Sequence, residues 1–263
     1  MRLYLELAKK SFQRQVAYRS ATLAGFATSL FFGMLRAAVL IAVFGGRANL
    51  AGYSVDDAIT YTGLTQALIG ATALWGWYDM IRSIKSGEVA SDLSKPFDYY
   101  GFWLAQDVGR SLYQLLARGV TILIAYALIF GIATPLSIGD WALTLLSVAL
   151  AILSSFGWRF LVSTTAFWVG DAIGFVRMAY FLVLFPSGFL APIDFMPGWL
   201  QALCRATPFP GFVDTPVTIY LGHARGGAAA GLIALQVAWL VVLVGLGRLA
   251  AEAGRRKLTI HGG

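Results

Sequence analysis

The chain has 263 residues, 58% of them hydrophobic and 13% charged, with a formal charge of +7. Soluble domains carry about 25% charged residues, so this chain holds more apolar surface than one aqueous core can hide, and an integral membrane protein is expected. A single cysteine, Cys204, excludes an intrachain disulfide and a Cys-rich metal centre.

Residues 1–20 carry Arg2, Lys9, Lys10, Arg14 and Arg19, with Leu5, Phe12 and Val16 on one helical face. This pattern predicts an amphipathic helix lying along the membrane surface. It does not read as a signal peptide, because the apolar run that follows is too long and lacks a small-residue cleavage site. Six stretches are then apolar enough for spans of about 20 residues. They are Ala21–Phe44, Ala58–Ile81, Phe102–Gly131, Trp141–Val169, Ala172–Leu190 and Gly227–Ala250.

The first span contains Arg36, in its outer half, and the second ends near an Asp79/Arg82 pair. Residues 82–100, RSIKSGEVASDLSKPFDYY, form a charged segment that predicts a short helix from about Ser86 to Leu93. Glu88 and Asp92 fall on one face of it, and Val89 and Leu93 on another. A short amphipathic helix on the inner side is a suitable surface for a soluble partner. The third span holds Asp107, Arg110 and Arg118, whose spacings of three and eleven predict one polar stripe. An ion pair suffices for Asp107 and Arg110, near the inner surface. Arg36 and Arg118 lie deeper, where a charge is costly unless it faces protein or water, and both are candidates for a translocation path.

After the fifth span comes FPSGFLAPIDFMPGWLQALCRATPFP, residues 185–210. Six of the chain's eight prolines lie between Pro186 and Pro216, and proline breaks a helix by removing a donor and clashing with the preceding turn. Irregular backbone at membrane depth is tolerated where protein or water covers it. A re-entrant hairpin over residues 186–222 is therefore expected, dipping into the outer half of the bilayer with Pro192, Met196, Pro197 and Trp199 as an outer gate. Aromatics at span ends, Trp75, Trp77 and Tyr78 inside and Trp141 and Trp199 outside, fit interfacial belts.

With both termini inside, 13 Lys and Arg residues face the inner side and three, Arg47, Arg205 and Arg225, the outer. Four more, Arg36, Arg110, Arg118 and Arg159, lie within spans. The asymmetry follows the positive-inside rule, so the net charge reports topology and no nucleic-acid partner is expected. The sequence has no GxxxxGK[ST] phosphate loop, no HExxH zinc motif and no GxSxG elbow. His223 and His261 fall outside the spans. No catalytic constellation, bound cofactor or metal is expected on this chain.

The order of these features resembles the type 2 permease subunits of bacterial ATP-binding cassette (ABC) exporters, and within them a compact branch whose members often work in pairs. Those chains have a basic entry helix and six spans with both ends cytoplasmic. They carry an I-x-x-G-E segment running on to Leu and Pro after the second span, matched by Ile84, Gly87, Glu88, Leu93 and Pro96. Before the sixth span they carry an outer SG-x-x-x-P-I-x-x-M-P-x-W-L segment, matched by Ser187, Gly188, Pro192, Ile193, Met196, Pro197, Trp199 and Leu200.

The resemblance implies one all-α permease domain over residues 1–263 in the bacterial inner membrane. It implies a second permease chain, identical or a sister, and a separate ABC ATPase subunit that holds ATP and magnesium. ATP-driven closure of the ATPases would push on residues 84–98, which makes Gly87, Glu88, Asp92 and Leu93 the coupling candidates. Export of a small amphipathic or lipid-like substrate is the expected activity. An ion-gradient-driven secondary transporter would need titratable groups near the bilayer middle, whereas Asp79, Asp107 and Asp171 lie toward the inner ends. A non-transporting membrane scaffold is the remaining alternative.

Overall fold

The computed structural model describes residues 2–135, 137–169 and 172–257; Asp171 and His261 lie outside the described residues. Among the described residues the fold is helical, with one two-stranded exception. Helix α1 (Arg2–Ala17) leads into α2 (Arg19–Phe44), which ends on Gly45 in the left-handed region. Strands β1 (Asn49–Leu50) and β2 (Tyr53–Ser54) pair antiparallel around a turn in which Ala51 and Gly52 both have positive φ, the geometry a two-residue hairpin requires. Helix α3 (Val55–Thr72) then starts on a reciprocal cap. The Asp57 amide donates to Ser54 Oγ at 3.1 Å, and the Ser54 amide donates to Asp57 Oδ2 at 2.9 Å.

Among the described residues, four helical stretches are long and apolar enough to cross a membrane: Thr22–Phe44, Tyr99–Phe130, Ile138–Phe167 and Gly227–Arg255. They coincide with the first, third, fourth and sixth expected spans. The second differs in both character and length. Helix α3 is buried on 14 of its 18 residues and carries four Thr and two Gly. Surrounded by protein on every side, it has no need of a lipid-facing stripe; Thr62 and Thr72 bond back to the carbonyls of Ile59 and Leu68.

The expected helix over Ala58–Ile81 is not continuous. It stops at Thr72, Ala73 takes a left-handed conformation, and helix α4 (Asp79–Ser86) starts six residues after Ala73. Two side chains fix the break. The Trp77 indole donates to Asp79 Oδ2 at 3.1 Å, and Tyr180 Oη donates to the Trp77 carbonyl at 3.3 Å. Gly87, at φ +79°, turns the chain into α5 (Glu88–Ser94). Asp98 caps α6 (Tyr99–Tyr113) by accepting from the Gly101 amide at 2.8 Å.

Helix α6 continues through a π-helical stretch, Gln114–Gly119, into α7 (Val120–Phe130). A π turn inserts residues into the helical count, and each extra residue shifts the phase by about 100°. The predicted stripe is broken as a result: Asp107 and Arg110 face α3 and α8 (Ile138–Ser163), whereas Arg118 faces α2. Helix α8 runs on through a 3-10 turn, Thr164–Phe167.

Helix α9 (Ala172–Leu184) follows, and then short pieces: a 3-10 turn Ile193–Phe195, α10 (Gly198–Arg205), a 3-10 turn Phe209–Phe212 and α11 (Asp214–Tyr220). The chain ends in α12 (Gly227–Arg255). Gly157 of α8 faces Leu243 and Gly247 of α12 faces Phe160, close approaches that larger residues would prevent. A polar clasp joins the same pair. Ser147 Oγ donates to Gln236 Oε1 at 2.8 Å, while Gln236 Nε2 donates to the Gly211 carbonyl at 2.7 Å.

Helix α1 packs on α6 by the face carrying Ala8, Ser11 and Gln15. Ser11 Oγ donates to the Gln106 carbonyl at 2.6 Å, and the Asp98 amide donates to Tyr4 Oη at 3.2 Å. Leu5 and Val16, from the expected apolar face, stay exposed, while Phe12 meets Tyr113 edge-on at 5.4 Å. A protein-packed face and an exposed apolar face thus sit side by side. The helices touch where the backbone of Ala8 lies against Gly109, so close that a Cβ at Gly109 would strike the Ala8 carbonyl. Gly109→Val should therefore lift α1 off α6, read as faster proteolysis or amide exchange within residues 2–17 with the rest of the chain still protected.

Candidate functional site

Three features stand out: the elbow that the expected topology puts on the inner side, a cavity within the bundle, and the irregular segment after α9 that the same topology puts on the outer side. The elbow is α4–Gly87–α5. Its inward side, Met80, Ile84 and Val89, is buried in an aromatic cluster with Trp77, Tyr99, Tyr100, Trp103, Phe156 and Phe160. Leu93 packs partly against that cluster. Of the four coupling candidates, Gly87 and Glu88 are exposed, whereas Asp92 is turned into an ion pair with Lys95 at 3.0 Å and Leu93 points inward. Ala90 and Ser91 extend the exposed surface, and such small side chains gave no signal for it in sequence. Beside the elbow a cleft of about 570 Å³ meets Tyr4 of α1 and Arg248 and Glu252 of α12. Arg248 reaches Asp98, the cap of α6, at 3.0 Å, so the link that follows α5 is held by α12.

Above the elbow sits a buried charge cluster. Asp107 is fully buried and takes both Arg159 and Arg110. Arg159 donates from Nη1 and Nη2 to its two carboxylate oxygens at 2.8 and 2.9 Å, and Arg110 donates from Nε at 3.0 Å. Arg110 also donates to the carbonyls of Gly70 and Ala71 at 2.8 and 3.0 Å. Those carbonyls are left open where α3 stops. One cation thereby caps the broken helix and tethers it to α6 and α8. The ion pair of Asp107 with Arg110 is as expected; the third member, Arg159, lies 52 residues away and sequence spacing could not point to it.

The cavity encloses about 380 Å³ and brings together Arg36 of α2 and Arg118 of the π turn. Arg118 donates to Ser29 Oγ and lies against Gly25, where a Cβ would stand 3.2 Å from its Nη1. Arg36 donates to the Phe189 carbonyl, and its guanidinium carbon stands 4.3 Å from the Phe189 ring centre. Gln66 of α3 lines the same space, as do Trp75 and Leu190. Trp75 is not simply an inner-belt residue: it meets Phe189 edge-on at 6.4 Å. A lone Gln midway along an apolar span was the available signal for Gln66; Phe189 carried none.

The outer segment is pinned from below. Tyr61 Oη donates to the Gly188 carbonyl at 2.6 Å and to Asp214 Oδ1 at 3.0 Å, and the Asp214 amide donates to the Ser187 carbonyl at 3.0 Å. Gly188 sits at φ +77°, which only glycine adopts cheaply. Tyr53 donates to Asp194 Oδ2 at 3.3 Å and stacks on His223 at 4.1 Å. Burial pushes the Tyr53 phenol up, so it stays a neutral donor. Among the gate candidates Pro192 is buried, Met196 touches Cys204 with sulfurs 3.9 Å apart, and Pro197 and Trp199 face outward. Phe189 and Leu190, just before these residues, line the cavity.

Residues 30–262 match the family model described as ABC-2 family transporter protein. No curated protein matches the chain.

Proposed function

The chain belongs to the ABC-2 transporter family, a membrane transport component and not itself an enzyme, and on that footing we propose that it is the permease of an ATP-driven exporter coupled to a separate ATPase through its α4–Gly87–α5 elbow. The observation that carries this reading is the mounting of the elbow. Glu88 and Gly87 project from the surface, while Met80, Ile84 and Val89 anchor the same piece in the inner aromatic cluster. A soluble subunit pressing on the exposed side would move the cluster as a unit, because packed cores shift between discrete arrangements more readily than they deform. ATP and magnesium belong to that subunit, and a second permease chain, identical or a sister, completes the path.

In this reading the chain crosses the inner membrane six times with both termini cytoplasmic, and residues 186–222 re-enter from outside. Helix α9 supports the re-entry. Its 13 residues reach about 20 Å, short of a hydrocarbon core of roughly 30 Å, so its outer end stops within the bilayer. Phe209 also packs edge-on against Trp158 at 5.0 Å. The ion-gradient alternative finds little support: Asp107 is held by two guanidinium groups and is not free to cycle a proton.

Glu88→Arg is the test. The purified chain alone should hydrolyse no ATP. Reconstituted with its ATPase, the variant should lose transport and retain little of the bound subunit, while Asp92→Asn, which only releases Lys95, should keep both. Wild-type transport by Glu88→Arg with the ATPase still bound would remove the elbow as the coupling surface.

A further inference from the structure

We infer that the cavity between α2, α3 and the π turn is a binding site for an amphipathic anion, its charged head held between Arg36 and Arg118 and its apolar body directed toward the bilayer. Two guanidinium groups from different helices meet in one space, and none of the described residues lining it is acidic. Buried cations are normally matched by a carboxylate or by hydrogen bonds on every donor. Here Arg36 Nε and Nη1 and Arg118 Nε are buried with no hydrogen-bond partner.

The contrast lies about three turns further down the third span. There Asp107 answers both Arg110 and Arg159, so this fold supplies a counter-charge where it needs one for stability alone. At Arg36 and Arg118 the protein supplies the Phe189 carbonyl and the Ser29 hydroxyl. Those are neutral groups that orient the guanidiniums without neutralising them. Guanidinium donors suit carboxylate, phosphate and sulfonate oxygens, with phosphate the most demanding of two cations.

The rest of the wall is apolar and partly open. Phe32 and Trp75, both in the cavity wall, are more than half exposed. A volume of about 380 Å³ holds a headgroup but not a long hydrocarbon chain, so the chain would pass out between Phe32 and Trp75. Phe189 and Leu190 close the outer side through the bond from Arg36 to the Phe189 carbonyl. An anion drawing Arg36 away would weaken that bond, which links head occupancy to the outer segment. The inference deepens the permease reading, and rests on it only for the step from bound amphipath to transported one.

Native mass spectrometry of the full chain in a neutral maltoside detergent, titrated with dodecyl phosphate, tests it without any ATPase. One dodecyl phosphate should bind, while dodecyltrimethylammonium should not compete. Arg36→Gln and Arg118→Gln should each weaken binding about tenfold and together about a hundredfold. The Arg36→Lys/Arg118→Lys chain should keep most of the affinity, which separates lost charge from a lost fold. A brominated analogue should quench wild-type fluorescence more than that of Trp75→Phe. Equal binding of the cationic analogue, or wild-type affinity in the double Gln variant, overturns the site. Displacement by inorganic phosphate as effective as by dodecyl phosphate overturns its apolar half and leaves a free-anion site. Either failure leaves the Glu88→Arg result untouched, and a failed Glu88→Arg test leaves the binding result untouched.

Discussion

Asp107→Ala should destabilise the chain by roughly 3–5 kcal/mol, the usual cost of removing one member of a buried ionic group and leaving its partners uncompensated. Arg110 and Arg159 are 8% and 2% exposed, so neither can turn to water once the carboxylate is gone. The loss spreads beyond the ion pair, because Arg110 is positioned by Asp107 to cap Gly70 and Ala71. The end of α3 should loosen as well. A second replacement separates the two effects. In Asp107→Ala/Arg159→Met one of the two stranded cations is removed, and part of the lost stability should return, giving strong non-additivity. Unfolding midpoints in detergent, with amide exchange over residues 70–78, would measure both. An Asp107→Ala chain as stable as the parent would show that the cluster is not what holds α3, α6 and α8 together.

Gly188→Val should be the next most damaging change, and its damage should fall on the outer segment. A left-handed backbone costs an L-residue roughly 1–2 kcal/mol, and more for a β-branched one. Added carbon would also meet Tyr61 Oη and the Asp214 side chain, at 2.6 and 2.7 Å for the first atom alone. The bonds from Tyr61 and Asp214 to this turn cannot survive that contact. A loss of about 2–4 kcal/mol is expected from strain and the two bonds, with residues 185–195 displaced and the cavity opened at Phe189. Cysteines placed at Phe195 and Leu203, with Cys204 replaced, should react faster with an impermeant reagent in Gly188→Val than in the parent. Unchanged rates would separate the Ser187–Gly188 turn from control of the outer segment.

Both predictions rest on contacts that the sequence only half disclosed. The prolines marked residues 186–216 as irregular, and the Ser187–Gly188 pair is where α9 has ended and φ turns positive. Tyr61, which explains why glycine is needed there, lies 127 residues away. In the same way Gly87 and Pro96 marked a bent inner segment, but only the packing of Leu93 and the Asp92–Lys95 pair showed that half of the expected coupling face is turned from solvent.

Composition and the Lys/Arg asymmetry were enough to specify a helical membrane chain, because partition into lipid depends on summed side-chain polarity and needs no knowledge of partners. The expected helix from Ser86 to Leu93 runs through Gly87, where the chain in fact turns left-handed and divides α4 from α5. That turn and the caps at Ser54 and Asp98 are local chemistry, but periodicity passes over them. The second span was misjudged in length because hydropathy cannot distinguish a helix facing lipid from one enclosed by protein, and α3 is enclosed. The arginines show the other limit. Periodicity assigns residues to faces of one regular helix, so it set Arg118 with Asp107. The π turn breaks that count, and helix crossing then decides which charges meet. Arg110 and Arg159 converge on Asp107, while Arg118 and Arg36 line one cavity with no acid of their own.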